Sequence, residues 1–500
     1  MPHAGFTGSG SGAILTVGGM LETIDTRAER LSRMAPWLLA ALLTACTGAA
    51  PDRPSPSQPA TPRELPGSLT LVGHEPLLDR GMNAGLAIWN DFAYVGSRTD
   101  GSKEHPHAGV LVVNIQDPAH PEVVGEIGPP DEGNPSETSR ELRVWPSDHL
   151  LLVLNLRCDP LIHDCRGSPL EPTVRFYDIA GKRAAKPVLV STYHPLRMPH
   201  EFFLWQDPND PRRALLYLST PGYFGGSLLV TEISSAREGV FREVASWSTA
   251  FPDPGTNDDL HSLSVSPDGT RAYLAFLTAG FFVLDTSELA KGLPAPAIRL
   301  VTPLANRVRW PGPGPHSAVK VPGRDLVLTT DEVYGGIGPD EGCPWGWVHL
   351  IDVTDERSPH AVSEYRVAPY NEEAYCDEVS GERNVGSSFS SHNPTVTEHL
   401  ALVTWHSAGL QLFSTSDPAR PTQLAAFVPE PLSSVATEDP ALSSGPDQVV
   451  MWSYPIIQDG LIYVVDIRNG LYVLAYHGPF EDEVASTGFL EGNSNLSDGS

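Results

Sequence analysis

The sequence predicts an all-β protein, a seven-bladed β-propeller with four-stranded antiparallel blades. Three observations lead to this prediction. A unit of about sixty residues recurs, in which short apolar strands alternate with turns. Glycine and proline are abundant, with 45 and 48 copies in 500 residues, as many short turns require. No stretch of useful length shows the 3.6-residue periodicity of an amphipathic helix.

The repeat is clearest around 259–269, where an alternating strand ends in a Pro-Asp-Gly turn. A second strand at 271–276 and a third at 280–285 follow. Aligned on the first strand, the copies begin at Asn83, Arg140, His200, His261, His316, His392 and Trp452. Each copy continues through a turn into an apolar second strand, so seven first strands predict seven blades.

The last copy has no fourth strand of its own, because its apolar residues end at Tyr476. Residues 68–73, ahead of the first copy, look like the fourth strands elsewhere, such as 123–127. We expect this N-terminal strand to complete the last blade and close the ring, which removes two open sheet edges. The predicted propeller spans 67–479, and the acidic, Gly/Ser/Asn-rich residues 480–500 are predicted to be a disordered tail.

The N-terminal region has the character of an export signal. Three arginines precede the apolar run 35–43, which is too short to span a bilayer as a helix. The run ends in Leu-Thr-Ala-Cys, which resembles the bacterial lipobox and implies that Cys46 is lipidated. We therefore predict a leader at 1–45, a flexible linker at 46–66, and attachment outside the cytoplasmic membrane or in the cell envelope. Residues 1–20 do not fit a signal, so Met20 is an alternative start, and an ordinary signal peptide is the alternative to lipidation.

Four further cysteines form two pairs that are close in sequence. An even count in an exported protein favours disulfides, here Cys158–Cys165 and Cys343–Cys376. Free buried thiols are the alternative, and the absence of a Cys-x-x-Cys pair disfavours metal ligation by these residues.

The formal net charge of −28 argues against nucleic acid as a partner, because phosphate binding needs a basic face. The acidic excess indicates a solvated exterior instead. We expect a monomer that contacts the membrane through its lipid anchor only.

The third strands carry a second signature, an apolar strand followed by polar turn residues, at 109–118, 346–355 and 409–418. These segments resemble the LVIVD repeat of bacterial surface proteins, and the resemblance covers roughly residues 68–477. It implies a β-propeller and does not fix an activity.

Histidine opens the first strand in four consecutive copies, and these residues are the predicted metal ligands: His200, His261, His316 and His392. In a propeller the innermost strands begin at one mouth of the central channel, so the four imidazoles should gather there. Imidazole suits Zn, Cu or Fe. The residues predicted to surround the ligands or line the pocket are Glu201, Arg140, Glu141, Asn83, Trp452, His406, Asp331 and Glu332. Glu201 and Glu141 would orient the imidazoles.

Two other interpretations of the histidines remain open. Duplication of one ancestral packing residue would give the same column without a metal, and the histidines could also contact a ligand directly. The column is similar to that of the selenium-binding protein/methanethiol oxidase family and of the carotenoid cleavage oxygenases, whose histidines are implicated in copper and iron centres. That similarity implies a metal but neither a reaction nor a substrate.

Two functions are therefore predicted as alternatives. One is a metal-dependent enzyme, an oxidoreductase, which binds a small molecule at the histidine mouth. The other is a metal-free scaffold of the LVIVD type, which binds a surface protein and has no catalysis. The sequence contains no Gly-x-Ser-x-Gly, His-Glu-x-x-His or Walker motif that would indicate another chemistry.

Overall fold

The computed structural model describes residues 64–128, 138–156, 172–221, 227–249, 259–332, 346–367, 390–440, 442–443 and 448–497. Outside these ranges lie the leader, most of the linker and all five cysteines, namely Cys46, Cys158, Cys165, Cys343 and Cys376. Lipidation and the two disulfides therefore stay predictions. In the described part of the chain, no helix is both long enough and apolar enough to span a membrane.

Short strands follow one another along the chain in sets of four, which are numbered here as repeats. After β1 (Ser68–Glu75), repeat 1 contains β2 (Asn83–Trp89), β3 (Phe92–Ser97), β4 (Val110–Asn114) and β5 (Glu122–Ile127). Repeat 2 contains β6 (Thr138–Trp145), β7 (Leu150–Leu156), β8 (Thr173–Asp178) and β9 (Val188–Tyr193). Repeat 3 contains β10 (Glu201–Asp207), β11 (Asp210–Thr220), β12 (Ser227–Ser235) and β13 (Val240–Ser248).

The next three repeats have the same plan. Repeat 4 contains β14 (Ser262–Val265), β15 (Arg271–Phe276), β16 (Gly280–Asp285), the short helix α1 (Ser287–Ala290) and β17 (Arg299–Leu300). Repeat 5 contains β18 (Ser317–Lys320), β19 (Leu326–Thr330), β20 (Val348–Asp352) and β21 (His360–Tyr365). Repeat 6 contains β22 (Pro394–Val396), β23 (Leu400–Thr404), β24 (Leu410–Ser414) and β25 (Thr422–Phe427).

The last repeat differs from the others because two distant segments join it. Its own strands are β26 (Ile456–Gln458), β27 (Leu461–Asp466) and β28 (Gly470–His477), and the chain continues into α2 (Asp482–Ala485) and β29 (Phe489–Glu491). The sheet order is β1-β28-β27-β26-β29, so β1 occupies the outer edge and β29 the inner edge. The strand β1 pairs with β28 in antiparallel register from Ser68 opposite His477 to Glu75 opposite Leu471.

Within each repeat, consecutive strands pair antiparallel, and repeats 1 and 2 also touch through one residue pair, Ser97 and Ser139. Successive four-stranded antiparallel sheets with almost no helix form a β-propeller-like fold, as the sequence predicts. The second strands lie where the apolar runs predict them, for example β7 over Leu150–Val153. These runs are apolar at every position because each sheet is covered on both faces.

The hydrophobic core lies between neighbouring repeats rather than inside any one of them. Trp205 and Leu215 of repeat 3, for example, pack with Leu263 and Phe282 of repeat 4. Further clusters of this kind join repeats 1 and 2, 2 and 3, 4 and 5, 5 and 6, and 6 and 7. One more cluster contains residues of repeats 1 and 7.

The prediction of a disordered tail at 480–500 is wrong for its described part, 480–497. The helix α2 follows β28, and β29 pairs antiparallel with β26. The side chains of Val484 and Leu496 are buried in the core. The polar composition suggested disorder, but the segment lies against inner strands, where its polar groups find partners far away in sequence.

Candidate metal centre

The four predicted histidines occupy equivalent backbone positions. Each lies one or two residues before the inner strand of its repeat and donates its backbone N–H to a carbonyl at the end of the second strand. The N···O distances are 2.7 Å for His200 to Ser219, 2.9 Å for His261 to Ala275, 2.7 Å for His316 to Thr330 and 2.8 Å for His392 to Thr404. This common anchoring makes the four side chains start from matching points in successive repeats.

The imidazoles form a continuous row. Ring centroids are 4.3 Å apart for His200 and His261, 3.8 Å for His261 and His316, and 4.6 Å for His316 and His392. The structure therefore brings the predicted histidines together.

Glu332, just after β19, lies among these rings. Its Oε2 is 3.1 Å from His316 Nε2, and its Oε1 is 3.4 Å from His392 Nε2 and 3.3 Å from His406 Nε2. The donor atoms form two overlapping groups, and within each group they lie within 4.8 Å of one another. The first group is His261, His316 and Glu332, and the second is Glu332, His392 and His406. Glu332 belongs to both groups.

The ligand set suggested by this geometry differs from the predicted one at three positions. Glu332 and His406, which the sequence places beside the ligands, are within ligand distance of the histidines. His200 is in the row of rings but in neither group of donor atoms. Trp452 packs against His392 with tilted rings at a centroid distance of 3.9 Å, lies parallel to His406 at 5.5 Å, and forms one side of the cluster.

A cavity of about 30 Å³ adjoins the row, and its walls include Arg140, Glu141, Glu201 and Trp452 together with the four predicted histidines. Two other residues predicted to line the pocket make their contacts elsewhere. Asn83 accepts a hydrogen bond from Arg80 Nε (2.7 Å) and donates to the carbonyl of Asp466 (3.3 Å).

Asp331, the second of these residues, belongs to a separate polar group although it is adjacent to Glu332 in sequence. Its carboxylate accepts a hydrogen bond from Trp310 Nε1 (2.9 Å) and lies 3.8 Å from His349 Nδ1. The Trp310 and His349 rings stack at 3.9 Å.

Burial favours the neutral form of the histidines. It lowers the pKa of His200 to about 4, helped by the charge of Arg140. It also lowers the pKa values of His261 and His392 well below the ordinary value. Neutral imidazole is the form that coordinates a metal ion, so these side chains are ready to bind one at neutral pH.

The carboxylates at the cavity have divergent acidities. Burial alone would raise the pKa of Glu332, but the nearby His392 and His316 hold it well below the ordinary value, so Glu332 is ionised. Burial raises the pKa of Glu141 to about 8 against the opposing charge of Arg143. The histidine cluster therefore contains an ionised carboxylate, while a wall of the adjoining cavity carries a carboxyl group that holds its proton near neutrality.

Two residues that the sequence did not indicate form hydrogen bonds with Glu201. Tyr454 Oη and Asn493 Nδ2 each donate to Glu201 Oε1 at 2.8 Å. The other oxygen of Glu201, Oε2, is 4.0 Å from His261 Nδ1. Tyr454 lies two residues after Trp452, a predicted pocket residue, and this proximity could have indicated it. Asn493 lies in a stretch whose composition suggests disorder, so its role is not indicated by the sequence.

No protein-family model matches this chain, and no curated protein matches it. Among solved structures, the chain is similar to a periplasmic gluconolactonase of Pseudomonas aeruginosa, PpgL, with 14% sequence identity and a TM-score of 0.49. The match covers 80% of this chain and 99% of that one.

Proposed function

We propose that the described fold is a seven-bladed β-propeller in which β1 closes the ring. The pairing of β1 with β28 supports closure, because it gives the last repeat a fourth strand. The hydrophobic cluster shared by repeats 1 and 7 supports it as well, since Leu111 and Val113 pack with Val465 and Val473. Seven repeats with a buried cluster between each neighbouring pair form a closed circle.

We also propose that the histidine cluster binds one transition-metal ion, namely zinc, copper or iron. The observation that carries this proposal is a buried carboxylate, Glu332, surrounded by imidazole nitrogens. Glu332, His316 and His261 would be the ligands, because their donor atoms lie within 4.8 Å of one another. Nitrogen and carboxylate ligands suit these metals, and a bound ion would supply Lewis-acid or redox chemistry at the cavity.

Polar packing alone accounts less well for the same residues. Glu332 owes its low pKa to His392 and His316. Without a metal ion, its buried charge therefore needs a protonated imidazole beside it, and burial disfavours that form for His261 and His392. Among the described residues, His316 Nε2 and Glu332 Oε1 are buried without a hydrogen bond of good geometry. Buried polar atoms normally have partners, and one cation would satisfy this set.

The activity that we propose is that of an exported, metal-dependent oxidoreductase. The cavity of about 30 Å³ beside the cluster has room for about one water, so a larger substrate would need the site to open. The Leu-Thr-Ala-Cys segment ending at Cys46 supports export and lipid anchoring. A Cys46→Ser variant tests the anchor by cell fractionation. It should leave the membrane fraction, and retention at the wild-type level would contradict lipidation.

Elemental analysis of the purified protein tests the metal. Wild type should carry about one zinc, copper or iron ion per chain, by the one-site interpretation. Glu332→Gln and the double variant His261→Ala/His316→Ala should carry almost none. Asp331→Asn is the matched control, because it removes a neighbouring buried carboxylate that contacts Trp310, and it should retain the ion.

Circular dichroism should show that all these variants are folded. A wild-type protein that purifies without metal and takes up none on reconstitution would overturn the proposal. The metal-free scaffold that binds a surface protein would then be the better account.

A further inference from the structure

The residues 482–497, called here the C-terminal segment, connect inner strands of repeats that are not neighbours. Its strand β29 pairs with β26 of repeat 7. Farther along, Asn495 forms two hydrogen bonds with the backbone of Gln206 in repeat 3, Gln206 N–H to Oδ1 and Nδ2 to Gln206 O, both at 2.8 Å. Repeats 7 and 3 lie apart in the order of sheets, so the segment crosses the space enclosed by the inner strands.

Close backbone contact fixes the path of the segment between these two attachments. A Cβ atom on Gly492 would lie 2.0 Å from the carbonyl oxygen of Pro394 in repeat 6, so only glycine fits there. Glu491, Gly492 and Ser494 line a cavity of about 670 Å³. Their neighbour Asn493 contacts Glu201, which lines the histidine cavity instead. The segment therefore lines the larger cavity and contacts a wall residue of the smaller one.

The amide of Asn493 has a defined orientation. Its Nδ2 donates to Glu201 Oε1, its backbone carbonyl accepts from Arg143 Nε at 3.2 Å, and its side chain is buried. The reverse orientation would place the amide oxygen against a carboxylate oxygen, and neither atom could donate. Asn493 and Tyr454 together occupy Oε1, which leaves Oε2 to face His261.

We infer that Asn493 is a positioning residue for the proposed metal centre and that the C-terminal segment is part of that centre. The inference rests on the proposed function. A carboxylate that faces a ligating histidine sets the tautomer and the orientation of its ring, and thereby the affinity for the metal. Asn493 would act on the metal through Glu201 and His261 without touching it.

The test compares Asn493→Ala with Asn495→Ala in the full-length protein, using cobalt(II) as the probe ion. Both variants remove a buried or half-buried amide from the same segment, but Asn495 bonds to Gln206 rather than to Glu201. Asn493→Ala should weaken cobalt binding about 10–100-fold and shift the visible absorption bands of the bound ion. Asn495→Ala should leave the cobalt affinity and the absorption bands unchanged. This difference between the variants should persist even if both lower the melting temperature by the same amount.

A Glu201→Gln background tests whether Asn493 acts through Glu201. There, Asn493→Ala should cause little additional loss of cobalt affinity. Equal effects of the two alanine variants, or wild-type affinity and absorption in Asn493→Ala, would overturn the inference.

The test also separates this inference from the metal proposal. Failure of the wild type to bind cobalt, zinc, copper or iron would reject the metal. The ring ¹⁵N chemical shifts of His261 in metal-free protein then decide the role of Asn493. Asn493→Ala should move them and Asn495→Ala should not, and unchanged shifts in Asn493→Ala would reject the positioning role.

Discussion

Two neighbouring carboxylates, Asp331 and Glu332, show how one residue position decides membership of the site. Both follow β19, and the sequence places both at the channel mouth. Successive side chains of an extended backbone point to opposite sides, so one carboxylate meets His316 and the other meets Trp310. The sequence cannot decide which carboxylate points to which side, because two adjacent acidic residues fit either register of the strand equally well.

Asp178, at the end of β8, gives a residue-scale prediction about stability in acid. Burial opposes its ionisation, but the backbone N–H of Ala180 and the guanidinium groups of Arg237 and Arg183 outweigh burial and lower the pKa to about 2. The folded pKa lies below the unfolded value of about 3.9, so the stabilisation is complete above that value. It is lost as the pH falls from about 4 to about 2.

Urea unfolding at a series of pH values measures this contribution. Wild type should lose about 2 kcal/mol of unfolding free energy over that range from this one group. Asp178→Asn should lose correspondingly less over the same range. The control is Asp210→Asn, which removes an exposed carboxylate beside Arg212 and should keep the wild-type slope. A wild-type slope in Asp178→Asn would contradict the assignment.

At the scale of elements, the sequence predicts the second strands better than the first. Runs such as Leu150–Leu154 are buried on both faces between neighbouring repeats, and a continuous apolar run at strand length is easy to recognise. The inner strands are short, for example β14 with four residues. Of the four histidines predicted to open them, three lie directly before the strand and His392 lies two residues before it. A short inner strand carries too few residues for its alternation to fix a boundary.

The C-terminal segment is the element that the sequence predicts wrongly. Its partners are Ile456 on the neighbouring strand β26 of the same sheet, and Glu201, Leu204 and Gln206 in repeat 3. The three partners in repeat 3 are distant in sequence; Asn493 and Glu201, for example, are 292 positions apart. The polar, turn-rich composition of this segment predicts an exposed, disordered chain. Its order comes instead from hydrogen bonds that form only once the inner strands are assembled. Asn493 could not have been identified without that assembly.

At the scale of the whole molecule, the first described strand, β1, pairs with the last repeat. Every other repeat draws its four strands from one continuous stretch, but the last repeat takes β1 from residues that precede repeat 1. Loss of β1 would leave β28 with an open edge and would uncover the side of repeat 7 that packs on its neighbours. Open edges of this kind favour association between chains.

Two shortened proteins test this dependence. A chain that begins at Glu64 retains β1, and we expect it to unfold like the full-length protein. A chain that begins at Pro76 lacks β1 and should lose at least about 3 kcal/mol of unfolding free energy, because one buried leucine contributes about 1.5–3 kcal/mol and each backbone hydrogen bond about 1 kcal/mol. Leu69 is the leucine concerned, and it packs in the cluster shared by repeats 6 and 7. Urea unfolding measures the loss, and size-exclusion chromatography should show the shorter chain associating through the exposed edge of β28. Equal unfolding free energies for the two chains would mean that the ring does not depend on β1, and that the N-terminal strand covers an edge which the rest of the molecule holds in place without it.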